Sequence, residues 1–510
     1  MKRTLTIAIA AALSATASSA DAVMLNPRGT GQVLIYPYYT VNHQQTLVSV
    51  INTTAHGKAL KVRFREGYDG RDVANFNVYL GPYDSWVGAV YDTSADGTGG
   101  AAIATNDNSC TVPAFPLAPV PGTLHALPFT NANYSQGDYG TPTGTDSGPL
   151  GLDRTREGFF EIIEMGEVVD QASGSQKTLE AITAVNGIPP GCAQVQGAWA
   201  SNGYWKANSS IDLSPPAGGV YGAAGIVNVA QGTLYAYDAT AIDGFSDVAQ
   251  HTGPGDAKPN FSTAVTDSAQ STAAAYVPIG NAMIKAQYPS ATRGVDAVSA
   301  VLTADTVFNE YLTDPSVGAS SEWVTTFPTK QFYVDPAIVG TTRMSYLPPF
   351  EETFGGGNGG KGDPGVSCSG IGKNQYFDRE GDTPPIYICP GLCPPPTGQY
   401  LCYETDLITF NQTWVEPRVR TNIFSSLLAI NIPTNHDSGW FELSFPDTTE
   451  AMRPSIEGSA FHGLPVVGFL AVNYINANVT PGVLSNYSAV YPHRSSVSCK
   501  NSTNSQETCQ

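Results

Sequence analysis

Charge is scarce in this chain. Only 14% of its 510 residues are charged, and 25 Lys and Arg face 44 Asp and Glu, for a net charge of −19. That balance argues against nucleic-acid binding through phosphate neutralisation. Long apolar runs are missing as well: past the first residues none reaches 18, and the best, Leu464 to Val472, is broken by Pro465 and Gly468. No membrane span is expected from them. The seven histidines, His43, His56, His125, His251, His436, His462 and His493, are scattered with no H-E-x-x-H, which argues against a metalloprotease. There is no G-x-S-x-G elbow, since Gly365-Val-Ser-Cys-Ser369 fails at its last position. His436-Asp437-Ser438 sets triad residue types side by side, but a triad converges from separate segments. Gly355 to Lys361 lacks the Lys-Ser/Thr helix start of a phosphate cradle. No fixed-period repeat occurs, which excludes solenoids and propellers. The composition also excludes a coiled coil, a collagen and a disordered acidic tail.

What is present points outward from the cell. Lys2 and Arg3 precede an apolar stretch from Leu5 to Leu13, and small residues follow. This reads as a secretory leader over residues 1–22, with cleavage open after Ala20 or after Ala22. The apolar stretch is too short to cross a bilayer. No cysteine precedes Cys110 to carry a lipid, and the C-terminus is polar. A secreted protein is expected, periplasmic, cell-surface or extracellular, whose negative charge favours solubility and attracts cations.

Eight cysteines, Cys110, Cys192, Cys368, Cys389, Cys393, Cys402, Cys499 and Cys509, make an even set for an oxidising compartment. Disulfides are the expectation. Proximity favours Cys499 with Cys509 and some pairing among Cys368, Cys389, Cys393 and Cys402, which leaves Cys110 with Cys192. The spacing Cys389-x3-Cys393-x8-Cys402 offers a zinc site as the alternative, though no histidine lies near it.

Strand signals dominate the early chain. Gln32 to Val41 is rich in β-branched and aromatic residues, with Pro37 marking an edge or a bulge. Thr46 to Asn52 is apolar on both faces, as a central strand should be. Leu60, Val62 and Phe64 alternate with Lys61, Arg63 and Arg65, and Phe76, Val78 and Leu80 repeat the pattern. Trp86 to Tyr91 supplies a fifth strand. Together these predict a mainly β, antiparallel β-sandwich of immunoglobulin-like architecture over 23–110. A β-rich central region over 111–345 follows, with a hairpin at 225–239, a long exposed loop at 246–274 and a helix over 297–312. Asp296 is that helix's expected cap and Asp314-Pro315 its stop. Gly158 to Val168 fits strand or helix, and 322–328 and 330–334 read as strands. A Gly/Pro/Cys-rich insertion over 346–402 leads into a C-terminal β region, 403–510, with a polar tail.

Several of these segments bear a likeness to a known group. Gly31 to Val41, Thr46 to Thr53, Lys61 to Gly67, Asn309 to Tyr311, Trp323 to Lys330 and Gly463 to Phe469 resemble stretches of exported bacterial all-β proteins usually left uncharacterised. The resemblance implies an exported all-β protein. It carries no functional residue over.

Candidate chemistry is thin. Glu157, Glu161, Glu164 and Glu167 fall within eleven residues, and a secreted carbohydrate-active hydrolase could use a pair such as Glu161 and Glu164 if they stood ~5–10 Å apart. Hard oxygen donors on Gly-rich loops suit calcium: Asp92, Asp96 and Asp107 are the candidate ligands, with Asn106 and Asn108 beside them, and Asp138, Asp146 and Asp153 form a second group. The same residues are ordinary turn formers, and no EF-hand loop is present. Tyr36, Tyr38, Tyr39, Tyr68, Tyr79, Tyr83 and Trp86 could form a platform for a glycan or protein, or pack a core. No cofactor other than calcium is indicated. The expectation is a non-catalytic exported protein that is structural, adhesive or partner-binding; the hydrolase and a calcium-dependent adhesin are the alternatives. Self-association through edge strands is a further expectation.

Overall fold

The computed structural model describes residues 22–509 apart from 97–98, 118–123, 138–145, 147, 341–344, 352, 354–366, 371–374, 383–399, 412–419, 435, 446–450, 477–479, 481, 484 and 503. Fourteen strands of the first 243 residues build two facing sheets: β1 (Met24–Leu25), β2 (Val33–Thr40), β3 (Gln45–Asn52), β4 (Gly57–Glu66), β5 (Asp72–Leu80), β6 (Ser85–Asp92), β7 (Ala101–Thr105), β8 (Cys110–Val112), β9 (His125–Pro128), β10 (Glu157–Val168), β11 (Leu213–Ser214), β12 (Val220–Asn228), β13 (Thr233–Asp238) and β14 (Thr240–Asp243). Sheet A runs β1-β14-β2-β10-β4-β5-β8, with β11 on the end of β10, and sheet B runs β13-β12-β3-β6-β7-β9. Every pair in both is antiparallel.

Alternation explains the layering. Leu60, Val62 and Phe64 of β4 share a buried cluster with Leu34, Tyr36, Phe76, Phe160 and Ile162 of sheet A and Val48, Val50, Trp86 and Ile226 of sheet B. That cluster is the sandwich interior. Pro37 lies in a central strand and not at an edge. It falls at a bulge, where the pairing jumps from Gly158–Tyr39 to Phe160–Tyr36, so its missing N–H breaks no regular ladder bond.

The sandwich is not complete at residue 110. The slot between β2 and β4 is filled by β10, and β3 needs β12, so the layers close only with residues up to Asp243. β4–β5, β6–β7, β10–β11 and β12–β13 pair as sequence neighbours, but β2 and β3 each pair only with strands distant in the chain, and β10 lies between β2 and β4.

The second half is also mainly β. A five-stranded sheet, 429–433, 405–411, 319–326, 467–474 and 487–492 in order, is antiparallel except for the parallel pair of 405–411 with 429–433. A four-stranded sheet runs 375–378, 438–444, 306–312 and 494–496. Their core, with Trp323, Phe327, Phe441, Leu443 and Leu470, is continuous with Val33, Ile35 and Ile163 on the outer face of sheet A.

Three expectations are corrected in this half. The helix is Ser290–Leu302, and 306–312 is a strand paired with 438–444. Val307 and Tyr311, four apart, satisfy a helical face and a strand face alike, and Thr303 and Thr306 tip the choice to strand. Asp296 does not cap the helix; it is buried within it, bound to Arg293 Nε at 2.5 Å, Arg453 Nη2 at 2.7 Å and Tyr333 Oη at 2.8 Å. Gln331–Val334 is a short helix and not a strand. The polar tail is paired, through strands Arg494–Ser496, Ser498–Asn501 and Asn504–Thr508.

Disulfides link Cys110 to Cys192, Cys368 to Cys402 and Cys499 to Cys509. Cys389, Cys393 and the Gly355–Gly365 loop lie outside the described residues. No described helix is long and apolar enough to cross a membrane.

Candidate functional site

The glutamates of β10 point to opposite sides of sheet A. Glu161 lies across from Arg63 on the outer face. Its Oε1 stands 3.5 Å from Arg63 Nη1 and 3.2 Å from Arg65 Nη2. Asp72 closes the set, 2.6 Å from Arg63 Nη2 and 3.3 Å from Arg65 Nη1. Two guanidinium groups and two carboxylates thus neutralise one another. Burial opposes the charge on Asp72, yet Arg63 and Arg65 hold it below the usual carboxylate range.

Glu164, three residues on, faces the other way beside a bulge. It accepts from Lys58 Nζ at 2.8 Å and from Gly218 N at 2.7 Å, and Lys58 also reaches Glu167 at 2.9 Å. Burial pushes Glu164 up to about 7 while Lys58 pulls against it. Glu157, raised by burial, accepts from Tyr38 Oη at 2.8 Å. Glu161 and Glu164 are both sealed from solvent and share no cleft.

A second charged centre sits in the turn between β4 and β5 and ties the two halves together. Glu66 accepts the backbone N–H groups of Tyr68, Asp69 and Arg71 at 2.7, 3.0 and 2.8 Å. Arg154 grips the same carboxylate with Nε at 2.7 Å and Nη2 at 2.9 Å, and Asp146 with Nη1 at 2.9 Å and Nη2 at 2.7 Å. The rings of Tyr68 and Tyr134 lie over its guanidinium. Such forked pairing compensates the cost of burying Arg154. Arg71 then reaches Asp335 of the second half at 2.9 Å. Gly70, at φ +70°, lets the turn pass the Glu404 carboxyl, which would lie 2.8 Å from any Cβ there. Burial drives Glu404 to about 8 and Asp406 to about 7, against the pull of Lys330. Of this centre only Lys61 to Gly67 stands out in the sequence; the closely spaced acids and bases Glu66, Asp69, Arg71 and Asp72 are the signal that could have marked it.

The last residues of the stretch 246–274, expected as an exposed loop, begin strand Thr272–Ile279, and residues 246–264 form a strap over the charged face of β4 and β5. Its carbonyls receive Lys61 (Gly253 O, 2.5 Å), Arg63 (Pro259 O, 3.3 Å), Asn75 (Asp256 O, 3.0 Å) and Asn77 (Thr252 O, 2.8 Å). His251 of the strap is buried among Tyr79, Trp199 and Trp205. Burial drives it down to about 3, so it is neutral: Nδ1 donates to Ser209 O and Nε2 accepts from Tyr79 Oη, both at 2.9 Å. With both nitrogens engaged, the ring braces the fold beside a cavity of about 300 Å³ lined by Ser209, Ser210, Gln250 and Thr252.

The calcium candidates do not converge. Asp92 ends β6 and is clasped by Arg156 at 2.7 and 2.8 Å. Burial is the largest single influence and opposes the charge, but the hydrogen bonds from Arg156 and Ser94 together with the Arg156 charge outweigh it and hold Asp92 at about 2. Asp107 sits toward the opposite end of β6, where it accepts from Ser109 N at 2.8 Å and Ser109 Oγ at 2.6 Å and lines a depression of about 410 Å³ with Asp84 and Asn108. Asp96 closes the turn Ser94–Asp96. Asp146 belongs to the Arg154 centre, and Asp138 lies outside the described residues. Among the described residues no group of three His, Cys, Asp or Glu is placed to hold a metal ion.

Aromatic placement also differs from the platform reading. Tyr36, Tyr38, Tyr39, Tyr79 and Trp86 are fully buried, whereas Tyr83 is open. What the molecule does expose is the outer face of sheet B. Its outward positions are Gln45, Leu47, Ser49 and Ile51 on β3, Ser85, Val87, Ala89 and Tyr91 on β6, Tyr221, Ala223, Gly225 and Val227 on β12, and Leu234, Ala236 and Asp238 on β13. One carboxylate and no lysine or arginine stand among them. Leu47, Val87, Tyr221 and Leu234 are 46%, 49%, 42% and 50% exposed. The signal was visible in β3, whose two apolar faces read as a central strand: it is central within its sheet, but one face is uncovered. Family models, curated proteins and solved structures were all compared with the chain, and none matches.

Proposed function

We propose that this is an exported, non-catalytic protein of the cell surface or extracellular space that presents the open face of sheet B to a protein or glycan partner. One observation carries the reading: the neutral, apolar outer face around Leu47, Val87, Tyr221 and Leu234, on a molecule otherwise strongly acidic. The internal charges support it from the other side. Glu161 and Glu164, the pair a carbohydrate-active hydrolase would need in one cleft, are committed to Arg63, Arg65 and Lys58 on opposite faces of a strand.

The test combines the double variant Leu47→Asp/Val87→Asp with the unaltered protein. Both should unfold at similar temperatures, because the positions are exposed, and the variant should lose association with cell-surface preparations and glycan panels. Equal association of the two would remove the face from the account. Hydrolysis of glycans or peptides by the purified protein at ordinary enzymatic rates would overturn the non-catalytic reading.

A further inference from the structure

We propose that the outer face of the four-stranded sheet in the second half binds an arginine-bearing segment of a partner protein, with each guanidinium seated between an aromatic ring and a carboxylate. This surface is separate from the open face of sheet B. Strand Thr306–Leu312 pairs with strand Ser438–Ser444 so that Phe308 stands across from Glu442, and Glu310 across from Trp440. Two rings and two carboxylates therefore alternate like the squares of a checkerboard. Directly opposed side chains on paired strands stand about 5 Å apart, and same-face neighbours along one strand about 6.6 Å.

The pleat decides which side chains are free. Val307, Tyr311, Phe441 and Leu443 go into the buried core, which leaves Phe308, Glu310, Trp440 and Glu442 on the opposite side. Phe308 and Trp440 are 36% and 38% exposed. Phe377, on the next strand, stacks on one face of Trp440 with ring centroids 4.4 Å apart and planes 17° apart. That stack holds the indole upright, its other face toward Glu310, whose strand is the neighbour on that side. Among the described residues no side chain or backbone group bonds or pairs with the carboxylate of Glu310 or of Glu442. The one basic residue at the outward positions, Arg494 across from Phe308, donates only to Pro492 O at 3.4 Å.

The charge complement of this face is a cation. An aromatic ring attracts positive charge over its face, and an unpaired carboxylate beside it adds a charge-assisted hydrogen bond to the same group. The net charge of −19 draws cations toward the molecule from further away. A guanidinium suits the arrangement better than an ammonium, because it is planar, weakly hydrated, stacks on a ring and forks onto a carboxylate. Spacing adds a second requirement. The rows Phe308–Glu442 and Glu310–Trp440 lie two residues apart along the strands. Alternate side chains of an extended peptide repeat at that same distance, so an Arg-x-Arg segment sets one guanidinium over each row. A second copy of this chain is a poor occupant, since it brings its own excess of acid. A small metal cation would meet the carboxylates and leave both rings bare.

Titration calorimetry of the intact protein tests this with the end-capped pentapeptide Gly-Arg-Thr-Arg-Gly and its counterparts carrying Lys or Gln in place of Arg. At low ionic strength the Arg peptide should bind about tenfold more tightly than the Gln peptide, with the Lys peptide between them. Its affinity should fall as salt is raised. Glu310→Gln/Glu442→Gln keeps both shapes at positions open to solvent, so the melting temperature should hold while the preference for Arg over Gln disappears. Trp440→Leu should erase the preference for Arg over Lys; if it also lowers the melting temperature, the double Gln variant still decides. Leu47→Asp/Val87→Asp should bind the Arg peptide as the unaltered protein does, which separates failure here from failure of the sheet B reading. Equal affinity for the three peptides, no measurable binding of any, or an Arg preference that survives in the double Gln variant would overturn the proposal. Self-association in sedimentation velocity that Trp440→Leu abolishes would also overturn it, assigning the face to a second copy.

Discussion

At the scale of single residues, this molecule is held by charges it hides. Arg154 forks onto Glu66 and Asp146 and is stacked between two tyrosine rings, all out of solvent. Removing the guanidinium would leave Glu66 with backbone N–H donors alone and Asp146 with only Arg71 at 3.5 Å as its cation in the interior. Arg154→Met should therefore cost about 3–5 kcal/mol in urea unfolding, the range for breaking one side of a buried ion pair. Glu404 shows the opposite logic. Burial raises it to about 8, so at neutral pH it is an acid held neutral, with only Gln331 N at 3.3 Å against Oε1. Its folded pKa exceeds the unfolded value of about 4.3, so its contribution is complete below that value and declines as pH rises through 8. Glu404→Gln imitates the neutral form and lacks that decline. The variant should match the wild type near pH 4 and become progressively more stable than it up to pH 8, as measured by denaturant midpoints; a constant difference across that range would contradict the assignment.

Elements show a different kind of staple. The Cys110–Cys192 bridge spans 82 residues and fastens the helix Cys192–Gly197 to the edge strand β8. A closed loop of that size suggests about 4 kcal/mol of stabilisation. Replacing both cysteines by serine should remove about that much, and hydrogen exchange should quicken first around 178–213, whose apolar contacts rest on that helix and on Trp205. The same elements show what a sequence can disclose. Alternation placed β4 and β5 and separated the apolar from the polar side of each, because a period of two is set by the pleat alone. It could not say that the side bearing Lys61, Arg63 and Arg65 is also covered. The cover is a Ser/Thr/Ala/Gly strap that binds through its carbonyl oxygens, which every residue possesses and no composition reveals. The helix was misplaced for a related reason: Val307 and Tyr311 fit both periods, and the pairing with 438–444 that decides between them lies over a hundred residues away. Nor could spacing foresee that β10 would slide between β2 and β4. The glutamates read as catalytic candidates acquire their partners only through that insertion.

Across the whole molecule these buried groups act together on the pH dependence of stability. Folded Glu164, Glu322 and Asp406 at about 7 and Glu404 at about 8 keep protons that an unfolded chain releases near pH ~4. Burial raises Asp69, Asp335 and Glu157 in the same direction. Each such group stabilises the fold most below its unfolded value and loses that contribution as pH climbs to its folded one. The buried imidazoles His251, at about 3, and His493, at about 4, oppose this, because an unfolded chain takes up their protons below about 6.5. Between about pH 4.5 and 6.5 the carboxyl groups outnumber the imidazoles, so stability should fall as pH rises; above about 6.5 the imidazoles cease to oppose the fall, but the carboxyl groups at about 7 begin to ionise in the fold, so the fall eases toward pH 8. Below about pH 4 the carboxyl advantage is exhausted, the imidazoles act alone, and the ion-paired Asp72, Asp92 and Asp146, held low in the fold, begin to lose their contributions as they protonate. Lys61, pulled down to about 7 by burial, adds a rise in stability from there toward the alkaline side. The maximum should accordingly lie near pH ~4–5, more acidic than the usual range of about 5–8, and close to the sequence pI of about 4.6, where self-repulsion among the excess acids is least. Melting temperatures from pH 3 to 9 at fixed ionic strength check this, and a maximum between pH 7 and 8 would mean that the buried carboxyl groups are ionised in the folded chain.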